Sequence, residues 1–157
     1  MKKAACLIFA FLLLFSCAEA GTETVLPGSR YTMIIPDGME YSAPRDGEAE
    51  IHAWSSDTME IDYFRYPKFS LFQPGEEQTL VKAAESRTDE GIETEIRNVS
   101  GIEMLVSRLT DETDGAPGIG YLFLDGNWVV EIFFWYATQE AADLTEQIIL
   151  SIKGLPE

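Results

Sequence analysis

A hydrolytic triad needs a general base beside its nucleophile, and this chain offers a single histidine, His52. Ile51 and Trp54 flank it in a strand-like run, and no Gly-x-Ser-x-Gly elbow is present to expose and activate a serine. His52 therefore reads as a structural or surface residue rather than a catalytic base. Zinc fails on the same count, because its sites draw on several His and Cys ligands. A phosphate loop fails too, since Gly115 to Gly120 has no lysine and no helix after it.

Carboxylates remain. Glu60 with Asp62, or Asp89 with Glu90, could act as an acid and base pair, although sequence alone brings no two of them together across a substrate. Asp111-Glu112-Thr113-Asp114-Gly115 is the candidate calcium (Ca2+) loop, with Asp111, Glu112 and Asp114 as ligands, because hard cations want several oxygens on a flexible segment. It lacks EF-hand spacing and the closing glutamate, so a solvated hairpin loop is the competing reading. Trp54, Tyr63, Phe64, Tyr66, Phe69 and Phe72 crowd one stretch, and Tyr66 to Pro74 reads as an apolar loop. Within it Phe69, Leu71 and Phe72, with Tyr66, form the candidate exposed patch for a small ligand or protein partner; packing over a sheet edge is the alternative. Asn98-Val99-Ser100 matches a glycosylation sequon.

Where the chain works is written at its start. Met1-Lys2-Lys3, an apolar run from Ala4 to Phe15 and Ser16-Cys17-Ala18-Glu19-Ala20 have the form of a secretory signal peptide. Two processing routes are open. Ala18-Glu19-Ala20 suits cleavage before Gly21 and release of a soluble protein, whereas Leu14-Phe15-Ser16-Cys17 resembles a lipobox, in which Cys17 would carry a lipid anchor. Phe15 departs from that pattern. Cys6 is lost on either route, so no disulfide is available and stability must come from packing. The apolar run is shorter than the about 20 residues of a membrane span, and no later segment comes closer, so no transmembrane span is expected after cleavage. The formal charge of −16 would repel nucleic acid and anionic head groups.

The elements that must position these residues follow from periodicity. Residues 1–20 are read as the signal peptide, 21–30 as a short leader and 31–157 as a single α+β domain. Strands are expected at Tyr31 to Ile35, Glu50 to Ser55 and Met59 to Tyr66. A helix follows, starting at Pro74-Gly75-Glu76-Glu77, burying Leu80, Val81 and Ala84 and stopping at Gly91. Strands resume at Glu93 to Val99, Ile102 to Thr110, Ile119 to Leu124 and Asn127 to Tyr136. The last two are joined by Asp125-Gly126 as a type I′ hairpin, with Leu124 opposite Asn127 and Tyr121 opposite Val130. Ile119, Tyr121, Phe123, Trp128, Val130, Ile132, Phe134 and Tyr136 then share one face. Leu122, Leu124, Val129, Phe133 and Trp135 share the other, with Glu131 as its polar exception. Neither face is polar, so the hairpin should be central in a sheet covered on both sides. Thr138 caps a final helix carrying Ala141, Leu144, Thr145, Ile148 and Ile152, ended by Lys153-Gly154.

That order, with Ile34-Ile35-Pro36-Asp37-Gly38, Val99-Ser100-Gly101-Ile102 and the Asp125-Gly126 hairpin before a helix closing on Ile149-Leu150-Ser151-Ile152, resembles the PsbP-like or Mog-type fold of small secreted or lipid-anchored bacterial proteins. The resemblance implies a central antiparallel sheet of about six to seven strands flanked by helices as an α/β/α sandwich. It also implies accessory or binding roles rather than catalysis, and it carries over no functional residue. The expected function is a non-enzymatic secreted or surface-associated binding module for a small ligand, ion or protein. A carboxylate-dependent hydrolase and a structural cell-envelope protein are the rivals.

Overall fold

The computed structural model describes residues 21–44 and 50–156. The signal peptide, Cys6 and the lipidation candidate Cys17 lie outside the described residues. Among those residues no helix is long and apolar enough to cross a membrane.

Among the described residues ten strands and two α-helices follow one another: β1 (Gly21–Val25), β2 (Tyr31–Pro36), β3 (Glu40–Ser42), β4 (Ile51–Ser55), β5 (Met59–Pro67), α1 (Leu80–Asp89), β6 (Glu93–Val99), β7 (Ile102–Thr110), β8 (Pro117–Asp125), β9 (Trp128–Tyr136), α2 (Gln139–Leu150) and β10 (Lys153–Gly154). Seven strands form one antiparallel sheet in the order β3-β4-β5-β9-β8-β7-β6. The β8–β9 hairpin is therefore interior, as its two apolar faces require. The architecture is α+β around a central sheet.

Alternation along the strands sorts side chains onto two faces. The first carries Trp54, Ile61, Tyr63, Tyr121, Phe123, Val130, Ile132 and Phe134, all buried in one core with Met33, Ile35, Ile148, Ile149 and Ile152. That core is closed by α2 and by a second sheet, three-stranded, in the order β1-β2-β10. The second face carries Leu105, Leu122 and Val129, packed with Phe72, Leu80 and Ala83 from α1 and the segment before it.

Several details differ from the sequence reading, each for a local reason. Gly21 to Val25 is not a leader but pairs along β2, holding its place through backbone bonds since most of its side chains are exposed. Tyr31–Pro36 belongs to this small sheet, so one of the covering layers is itself partly β. Helix α1 starts at Leu80, capped by Thr79, whose hydroxyl accepts from the Lys82 amide at 3.2 Å. It does not start at Pro74, because Gly75 has φ +89° and Glu76 caps the preceding turn by accepting from the Gln73 amide at 2.7 Å. Ala83 is buried where Val81 was expected, and Val81 is exposed. Lys153–Gly154 does not end α2, which stops at Leu150; it pairs with Thr32 and Tyr31.

The hairpin turn is displaced as well. Asp125 pairs with Trp128 and Tyr121 with Ile132, so the two turn residues are Gly126 and Asn127. Gly126 has φ +58°, while Asn127 is not among the positive-φ residues, which is the type II′ pattern. The shift moves partners by two positions, so every face assignment survives it. A type I′ turn occurs instead at Ser100-Gly101, with φ of +52° and +85°. There the Ser100 hydroxyl donates to the Leu150 carbonyl at 2.5 Å, tying the hairpin to an open carbonyl at the end of α2.

Candidate functional site

Helix α1 covers only part of the second face. It lies along β6 and β7, and its long reach ends at Arg87, whose guanidinium meets the buried Glu131 at the centre of the sheet. Glu131, the polar exception in the sequence pattern, is thus paired. Its other oxygen accepts from the Tyr66 hydroxyl at 2.6 Å, and Arg87 also donates to Ser107 Oγ at 3.2 Å. Burial and the neighbouring carboxylate raise the Tyr66 pKa, so the phenol stays a donor. This cluster is the boundary of the covered half.

Beyond it, along the same strands toward the C-terminal end of β9, the side chains of this face are only half-buried. Phe64, Asp62 and Glu60 on β5 stand beside Glu131, Phe133 and Trp135 on β9, as the register dictates. Phe64 meets Phe133 edge-on at 5.5 Å between ring centroids, and Phe133 stacks with Trp135 at 6.3 Å and 19°. Two glycines on β8 let these rings lie down. A Cβ on Gly118 would come within 2.5 Å of the Trp135 ring, and one on Gly120 within 2.8 Å of Phe133. Any side chain there would push the rings off the sheet. The result is an aromatic platform, half-buried, with one rim of carboxylates.

Asp62 is the charged group set into that platform. Its Oδ2 accepts from Trp135 Nε1 at 3.1 Å. Burial among the rings raises its pKa to about 6, and the charge of Glu60 adds to the rise, while the indole hydrogen bond opposes it. Near neutral pH the site therefore presents an anion beside half-buried aromatic rings. Aromatic faces and a carboxylate together attract a cation, the rings through their quadrupole and the carboxylate directly.

The residues singled out from sequence fall in different places. Glu60 and Asp62 do come together on the platform, whereas Asp89 ends α1 and Glu90, its cap, is exposed. Phe72 is in the second core at 4% exposure, with Tyr66 and Leu71 packed against that core, so only Phe69 of the expected patch is exposed, at 76%. The patch does not exist as a continuous surface, because Phe72 fills the space under the loop. In the acidic loop Asp111 accepts from the amides of Thr113 and Asp114, at 2.7 and 3.2 Å, and Asp114 accepts from Ala116 at 2.9 Å. These carboxylates organise the turn itself. Among the described residues no three His, Cys, Asp or Glu groups converge as metal ligands, and Glu112 is exposed. His52 shares a hydrogen bond of 2.7 Å with the Tyr41 hydroxyl, and burial lowers its pKa. Asn98 is exposed, with its side chain accepting from the Gly101 amide at 3.0 Å.

Phe133, Trp135, Gly118, Gly120 and Arg87 were not singled out as site residues. The signal was available in the alternation of Gly118 and Gly120 on a strand whose partner carries Phe133 and Trp135.

No protein-family model and no curated protein matches the chain. Among solved structures, the chain is similar to a crystal structure from Bacteroides thetaiotaomicron VPI-5482, with a TM-score of 0.60 and 13% identity. That match covers 87% of this chain and 49% of the other, so the chain spans about half the length of that protein. It is also similar to the solution structure of cyanobacterial PsbP (CyanoP) from Synechocystis sp. PCC 6803, with a TM-score of 0.59 and 8% identity, covering 87% and 93% of the two chains. The fold of this chain is PsbP-like.

Proposed function

We propose that the protein is an exported, non-catalytic accessory module that holds a cationic, partly apolar partner on the open half of its sheet. The observation that carries this reading is the platform of Phe64, Phe133 and Trp135 with Asp62 set among the rings. A guanidinium or quaternary ammonium is the chemistry that uses both features at once. The net charge of −16 supports it, since long-range attraction would speed encounter with a basic partner. Export rests on Met1 to Ala20, and the intact mass of the protein from its host distinguishes release at Gly21 from a lipid on Cys17.

A hexa-arginine peptide is the probe, read by fluorescence anisotropy at moderate salt. Trp135→Ala should weaken binding about tenfold or more, as loss of an aromatic anchor does. Neutralising a carboxylate at the opposite end of β7 with Glu103→Gln should change it little. Equal losses from both would mean that the peptide reads only the overall charge and would overturn the assignment of the platform.

One observation favours a second reading, a carboxylate-dependent hydrolase: Asp62 titrates near 6 beside Glu60, which suits a general acid. Against it, Glu60 is exposed and shares one strand face with Asp62, so the two carboxylates stand side by side rather than on either side of a substrate. Turnover of aryl glycosides that disappears in Asp62→Asn would favour the hydrolase over the binding module.

A further inference from the structure

On the opposite face, a cleft of about 240 Å³ opens between α2 and the outer strands β6 and β7. Buried Tyr121 and Val106 and part-buried Ile119 floor it. Arg97 rises from β6 over this floor, held by donation from Nη2 to the Tyr121 hydroxyl at 3.2 Å. Its remaining donors are poorly matched. Nε is buried without a partner, and Nη1 lies 3.9 Å from Glu95 and 3.8 Å from Glu146, beyond hydrogen-bond length. Both glutamates are mostly exposed at the rim, whereas the second arginine, Arg108, is paired with Glu93 at 3.3 Å.

The cleft therefore has one positioned cation at its base, carboxylates around its mouth and an apolar wall. A bare anion would meet the three glutamates, and a bare cation would meet Arg97. We propose that this cleft binds a small zwitterion of the α-amino-acid type, its carboxylate on Arg97, its ammonium between Glu95 and Glu146, and its side chain against Ile119 and Val106. With Nε buried, the carboxylate would be accepted end-on through Nη1 and the second hydrogen of Nη2. The bland alternative is a strut in which Arg97 bridges β6 to α2 through Glu146. A strut predicts no ligand.

The test is calorimetric titration of the purified chain with L-leucine, with leucinamide and N-acetyl-leucine as the cation-only and anion-only analogues. L-leucine should bind, and each analogue should bind at least tenfold more weakly. Arg97→Gln should abolish binding. Because Arg97 also contacts Tyr121, the exposed Glu146→Gln is the second variant, expected to fold as the parent does and to weaken L-leucine by about fivefold. Absence of L-leucine binding, equal affinity for the three compounds, or unchanged binding in Glu146→Gln would each overturn the assignment.

Discussion

The two halves of one sheet face differ in what was put over them. Toward the β8–β9 turn the strands carry Leu105, Leu122 and Val129, and α1 with Phe72 seals them from water. Toward the other end of the same strands this face carries Phe64, Phe133 and Trp135 with Asp62, all half-buried. Aliphatic side chains on the sealed side are worth their burial alone. Rings laid flat on glycines, with a carboxylate hydrogen-bonded to an indole, add cross-strand packing and still leave a charged group and part of each ring within reach of solvent. Arg87 and Glu131 mark where one purpose gives way to the other.

The largest effect should come from breaking that boundary. Glu131→Ala or Arg87→Met leaves a buried charge without its partner and should cost about 3–5 kcal/mol in chemical denaturation. Replacing both at once with apolar residues should recover most of the loss.

Matched truncations sharpen the contrast between the halves. Phe72→Ala removes a core ring and should cost about 3–5 kcal/mol, while Phe133→Ala should cost about 1 kcal/mol because its site is already partly solvated. Near-equal losses would mean that the open half is as tightly sealed as the other.

Gly118→Ala adds a methyl where the Trp135 ring lies, at a cost of about 1–3 kcal/mol, with loss of hexa-arginine binding. Gly38→Ala, in open space but at φ +85°, is strained by backbone alone and should leave binding unchanged.

The smallest effect carries a sign. Asp62 has a folded pKa of about 6 against an ordinary 3.8, so the folded chain keeps its proton longer as pH rises. Stability contributed by the neutral acid is complete below about pH 4 and is lost as pH climbs to about 6. Asp62→Asn should therefore be more stable than the parent at pH 7, by about 1 kcal/mol once partial solvation is discounted, and equal to it at pH 3.5. Thermal melts at the two pH values read the difference.

Much of the fold was legible in one dimension. The apolar doubling of Ile119 to Tyr136 identified an interior hairpin, and its faces held even though the turn slipped to Gly126-Asn127, because a shift of two positions preserves alternation. The short strands β1, β3 and β10 were not legible, since none of their residues is buried and β10 finds its partner at the other end of the chain. The site was half legible. Glu131 stood out as a charge in an apolar run and Glu60 with Asp62 as a pair, but Arg87 comes from another element, and only the register sets Trp135 over Gly118. Phe72 was misread because nothing local distinguishes a ring that fills a core from one that faces water.

The most direct test of the central claim is NMR of the tryptophan indole N–H groups. Trp54 is buried in the first core, Trp128 lies under the Arg65 guanidinium at 3.7 Å, and Trp135 donates to Asp62. Addition of hexa-arginine should shift the Trp135 indole alone, and in the free protein that signal should titrate with a midpoint near pH 6. A response confined to Trp128, or a Trp135 signal indifferent to both peptide and pH, would contradict the account.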